Sequence, residues 1–112
     1  MKIKQRKIGD VVILDLSGKL LGGPPVFEEF TETIHTLNDE GIKKVVVNLN
    51  EVTRMNSSGL GILISALTSL SKVDGQLKLA GINETMEGIL ITTKLNTIFE
   101  TFDTAEGAAQ SF

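Results

Sequence analysis

The run Lys44-Val45-Val46-Val47-Asn48-Leu49 sets the strongest limit on how this chain can fold. Consecutive β-branched residues favour an extended backbone, in which neighbouring side chains point to opposite faces of a sheet. A strand with valine on both faces has to be covered on both, as happens to a central parallel strand between layers of helix. We therefore expect an α/β fold assembled from right-handed βαβ units.

The rest of the chain divides in keeping with that expectation. Residues 2–8, with Ile3 and Ile8 among Lys2, Lys4, Gln5, Arg6 and Lys7, suit an exposed edge strand. Gly9-Asp10 is a turn, and residues 11–16, closed by Gly18, form a second strand antiparallel to the first. Gly22-Gly23-Pro24-Pro25 interrupts regular structure and leads into a helix whose apolar face is Phe27, Phe30, Ile34 and Leu37, with Gly41 as its stop. Residues 50–55 are expected as the loop at the C-terminal end of the central strand, where open α/β sheets place their binding sites.

From Leu60 the apolar positions Leu63, Ile64, Leu67 and Leu70 follow helical spacing to about Val73, and Asp74-Gly75 ends the helix. Residues 77–80 form the next strand. Asn83 caps a short helix, weakened by Gly88, with Met86, Ile89 and Leu90 turned inward. Ile98-Phe99 is expected as the last strand, and Asp103 or Thr104 as the cap of a terminal helix with Ala105, Ala108 and Ala109 on its docking side. The expectation is a single domain over residues 1–112: a mostly parallel sheet of four to five strands, an antiparallel N-terminal edge hairpin, and about four helices.

Composition removes several classes of function. Eleven basic and 14 acidic residues leave a formal charge of −3, and there is no Trp or Tyr, so neither a general basic field nor stacking platforms are available to nucleic acid. Without cysteine, and with His35 as the single histidine, thiol chemistry and histidine-rich metal sites are excluded, and no metal or cofactor is expected. Residues 11–14 are apolar but Asp15 follows too soon for a signal-peptide core, and residues 60–67 are too few to span a bilayer, which implies a cytoplasmic protein with no membrane insertion.

The chemistry concentrates in Met55-Asn56-Ser57-Ser58-Gly59-Leu60-Gly61, a strand-to-helix turn. Short polar side chains there can accept backbone N–H bonds, and the glycines permit close approach of another backbone. A dinucleotide fingerprint would need glycine at Ile64, and a P-loop would need Lys then Ser or Thr at Ile62 and Leu63. A nucleophile elbow would need glycine two residues before the serine, and His35 offers the only imidazole, so an enzyme is not expected. Glu28 and Glu29, adjacent on a helix, diverge and suit a solvated face. What remains for Ser57 is a helix cap or a modification site, with weak binding of a nucleotide or small ligand at the helix start as the alternative.

Asn56-Ser57-Ser58-Gly59-Leu60-Gly61, placed after Val45-Val46-Val47-Asn48-Leu49, resembles the Asp-Ser-Ser-Gly-Leu-Gly signature of the STAS domains, whose type members are bacterial anti-sigma factor antagonists. Leu14-Asp15-Leu16-Ser17-Gly18 and Gly75-Gln76-Leu77-Lys78-Leu79 resemble the family's strands before and after that signature. The resemblance implies the STAS fold and a partner-switching regulator. By position Ser57 is the phosphoacceptor of a partner that is both serine kinase and anti-sigma factor, with a serine phosphatase resetting it. It further implies a contact surface of Asn56, Ser57, Ser58, Gly59, Leu60 and Gly61, Leu60 anchoring the helix. Asn56 stands where the family usually has aspartate, and residues 19–25 lack its usual acidic loop. An unphosphorylated STAS scaffold, or a module of a transport complex, is the alternative within the same fold.

Overall fold

The computed structural model describes residues 1–112. In chain order it contains β1 (Lys2–Ile8), β2 (Val11–Leu20), α1 (Pro24–Asp39), β3 (Lys44–Met55), α2 (Ser57–Ser71), β4 (Gln76–Ala80), α3 (Glu84–Thr92), β5 (Thr101–Phe102) and α4 (Ala105–Gln110), with a 3-10 turn at Leu95–Thr97 ahead of β5. The five strands lie in the order β1-β2-β3-β4-β5. The β1–β2 pair is antiparallel and the other three pairs are parallel, so β3 is central, as its valine run requires.

From β2 onward the strand order advances in one direction, so right-handed crossovers put α1, α2 and α3 on one face of the sheet. Val45, Val47 and Leu49 point into that face and meet Phe30, Ile34 and Leu37 of α1, Leu60, Leu63 and Leu70 of α2, and Met86 and Leu90 of α3. Val46 points the other way, into a smaller core with Val11, Ile13 and Ala80 that α4 covers through Ala105, Ala108 and Ala109. On that thinner side the buried Lys78 ammonium donates to the Ser111 carbonyl at 3.1 Å and its hydroxyl at 2.7 Å, and stands 4.3 Å from the centre of the Phe112 ring. The aromatic faces help to hold a charge that water no longer reaches.

Three expectations are corrected. Residues 50–55 are not a loop: β3 continues to Met55, pairing with a β2 that runs on to Leu20. Irregular register lies between Asp15 and Ser17 and between Gly18 and Lys19 of β2, each time with an extra residue in β3. These bulges bury Leu49 and Val52 and half-bury Met55, a spacing of three that does not look like a strand. The last strand is at Thr101–Phe102 rather than Ile98-Phe99, where the N–H groups of both residues donate back to the Leu95 carbonyl in a tight turn. Finally, Phe27 does not join the α1 core: Phe30, Ile34 and Leu37 are buried, whereas Phe27, in the first turn, is 43% exposed. Of the two residues expected to cap α4, Thr104 is the one that does so, accepting from the Gly107 N–H, and Ile89 is half-buried beside the buried Met86 and Leu90.

Candidate functional site

The parallel strands deliver their C-terminal ends to one edge of the sheet, and α1, α2 and α3 begin there, the position at which such sheets build sites. At the start of α2 the backbone of Asn56 is extended, with φ −120° and ψ −178°, and the Gly59 N–H donates to Asn56 Oδ1 at 2.8 Å. Asn56 is thus the helix cap, and neither serine is. An amide oxygen caps as well as a carboxylate, so the departure from aspartate leaves the geometry intact. Ser57 and Ser58, the first two helical residues, are exposed, and the Ser57 hydroxyl is not tied up in holding the helix.

The turn is fixed from below by the end of β2. The Asn56 N–H donates to the Leu20 carbonyl at 3.4 Å, and a Cβ on Gly59 would overlap that same carbonyl well inside van der Waals contact. Only glycine allows this approach. Leu60 is 2% exposed and pins the first turn to the core. Gly61 differs: it is exposed, and a Cβ there would meet nothing within 4 Å. The loop after β2 closes the other side, since a Cβ on Gly22, which has φ +80°, would lie 2.7 Å from the Ser58 Cβ.

Electrostatically the turn is a helix N-terminus without an acidic side chain of its own. The first turn of α2 therefore supplies no carboxylate to answer its free N–H groups and positive dipole end, and Glu28 of α1 lines the adjoining groove. His35 is exposed and lines a groove between α1 and α2 that neither motif serine enters. Glu28 and Glu29 are exposed, and no group of three His, Cys, Asp or Glu residues comes together as a metal site. The two shifted carboxylates lie elsewhere: Asp10, held below its usual range by a hydrogen bond from Lys44 at 2.8 Å, and Asp15 on the α4 face. Burial raises Asp15, but hydrogen bonds from Arg6 at 2.7 Å and Asn48 at 2.8 Å outweigh it and hold the carboxyl below its usual range. No helix is long and apolar enough to cross a membrane.

The structure adds two residues that sequence patterning passed over. Leu21 and Phe27 are exposed large apolar side chains, 39% and 43%, on the loop and helix start that adjoin the turn. Helical spacing assigns Phe27 to the core because it cannot register that the first turn of α1 overhangs the sheet edge.

A five-stranded sheet with three crossover helices on one face, and a serine-glycine turn at the edge where they begin, defines an α/β domain that presents a helix start. The STAS domain family matches residues 2–108, and the chain belongs to that family. It is 32% identical over 85 residues to a protein of Thermotoga neapolitana described as a candidate anti-sigma factor antagonist, covering 76% of this chain and 69% of the relative. The anti-sigma-B factor antagonist of Staphylococcus aureus is 27% identical over 70 residues, 62% of this chain and 65% of that one. Among solved structures, a candidate anti-sigma factor antagonist of Thermotoga maritima superposes with a TM-score of 0.79 at 26% identity, covering 97% of this chain and 92% of its own. The fold is also that of the Bacillus cell fate determinant SpoIIAA in its phosphorylated form, with TM-score 0.76, 21% identity and 98% of each chain covered.

Proposed function

We propose that this protein is an anti-sigma factor antagonist, a non-enzymatic regulator that binds a kinase-type anti-sigma factor through residues 56–61 and is released when Ser57 is phosphorylated. The carrying observation is the state of Ser57: an exposed hydroxyl at the first position of α2, relieved of capping by Asn56, at a helix end with no countercharge of its own. Relatives described as anti-sigma factor antagonists support the same role.

The charge argument gives the switch its direction. Phosphorylation places about −1.5 to −2 charges on Ser57, where the dipole and free N–H groups of α2 stabilise an anion, so the fold tolerates it. A partner that buries the neutral hydroxyl has instead to desolvate a dianion, and each 1.4 kcal/mol of that penalty weakens binding about tenfold.

The test is to incubate the protein with a purified kinase-type anti-sigma factor from the same genome and ATP, then to measure intact mass and map the modified residue. Stoichiometric phosphate on Ser57 that vanishes in Ser57→Ala is the expected result. Absence of label, or label that persists in Ser57→Ala, contradicts the proposal.

A further inference from the structure

Beside the turn lies an open groove of about 590 Å³, walled by Pro24, Phe27 and Glu28 of α1 and by Ser58, Gly61 and Ile62 of α2. Each wall has a feature that the fold does not need. Phe27 keeps 43% of its surface in water although Phe30, one turn on, is buried. Gly61 weakens a helix by roughly 1 kcal/mol relative to alanine, yet a Cβ there would meet nothing within 4 Å. Gly59, two residues earlier, is demanded by the Leu20 carbonyl; Gly61 is demanded by nothing within the chain. A large exposed aromatic facing a notch made by a missing side chain is the form of a hot-spot pocket that a partner fills.

We infer that the partner surface extends from the Ser57 turn into this groove, and that the anti-sigma factor inserts an apolar side chain between Phe27 and Gly61. The inference rests on the function proposed above and names where specificity resides. Continuity carries it: Ser58 and Gly61 belong to both the turn and the groove, and Gly22 presses the intervening loop against Ser58, so a body covering one covers the other. The rim adds a condition on chemistry. Glu28 is the only charged residue lining the groove, so the entering side chain is flanked on the partner by a hydrogen-bond donor or a cation rather than a carboxylate.

The experiment compares wild type, Phe27→Ser, Phe27→Leu and Ser57→Asp for calorimetric affinity toward a purified kinase-type anti-sigma factor from the same genome, with a thermal melt of each variant and sedimentation of each alone. We expect Phe27→Ser to bind at least about tenfold more weakly, as loss of a central apolar anchor does. Phe27→Leu should stay within about threefold, and the melts of both should remain close to wild type because the side chain is not part of the core. Wild-type affinity in Phe27→Ser alongside weakened Ser57→Asp overturns the groove and leaves the proposed function standing. No binding by wild type overturns both. A dimeric wild type made monomeric by Phe27→Ser assigns the groove to a second copy of this chain and overturns the inference.

Discussion

The starts of α2 and α3 can be compared as two answers to one structural demand. Each follows a parallel strand at the same edge of the sheet, and each is capped by an asparagine whose Oδ1 accepts an N–H, from Gly59 at 2.8 Å and from Met86 at 2.9 Å. Each also carries a glycine five residues beyond its cap, Gly61 and Gly88, with nothing within 4 Å of where a Cβ would lie. They differ in charge and in the residue at the cap's bond. Helix α3 has Glu84 and Glu87 in its first turn to answer the dipole, and Met86 buried as a core anchor; α2 has two serines, no acid, and a glycine crushed against Leu20. Capping is therefore generic in this molecule. What sets the α2 start apart is a helix end with no acid of its own, clamped to β2 at Gly59 and exposed at both serines.

The comparison breaks most severely at Gly59. Alanine there must push the Leu20 carbonyl aside, and overpacking against backbone should destabilise the fold by about 3 kcal/mol in urea denaturation. A change under about 0.5 kcal/mol would show that the turn is not clamped to β2.

The caps come next. Asn56→Ala and Asn83→Ala should each lower stability by about 1 kcal/mol, and by similar amounts, since each removes one bond of the same kind. Partner affinity should fall in Asn56→Ala alone, measured by calorimetry on the same samples. An equal loss in Asn83→Ala would spread the interface over both helix starts and dissolve the distinction.

The glycines sharpen it further. Gly61→Ala and Gly88→Ala should both raise the unfolding midpoint, each worth up to about 1 kcal/mol, because both sites are open helix positions. Only Gly61→Ala should lose partner binding, so a variant more stable than wild type yet defective in function is the expected signature.

The smallest effect lies away from both turns. Asp15 titrates below its usual range in the fold, so its contribution is complete above the unfolded value near about pH 3.9 and is lost as the pH falls through the folded one. For a half-buried carboxylate whose partner Arg6 is exposed the effect is under about 1 kcal/mol. Asp15→Asn should flatten the acid limb of the stability curve below about pH 4 while leaving partner affinity at neutral pH unchanged.

Much of this was legible in the residues, and the failures have physical causes. The valine run located the central strand because two-faced burial admits little else, and the spacing of Leu60, Leu63, Leu67 and Leu70 located α2. Two bulges in β3 hid its second half by replacing alternation with a period of three, and a two-residue β5 is too short to carry a period at all. Asn56 was visible as a short polar residue but not as the one that caps, since three candidates in a row look alike until backbone angles choose. Phe27 was assigned by spacing to a face that its turn does not reach. Whether a side chain meets the core or overhangs an edge depends on the sheet's boundary, which no local pattern records.

The central claim is that a charge placed on Ser57 at the α2 start switches partner affinity without altering the fold. The direct measurement is a calorimetric titration of the anti-sigma factor with unmodified protein and with protein stoichiometrically phosphorylated on Ser57, each also melted thermally. The account predicts at least about tenfold weaker binding after phosphorylation with the two unfolding midpoints nearly coincident. Equal affinities, or weaker binding accompanied by a comparable loss of stability, would contradict it.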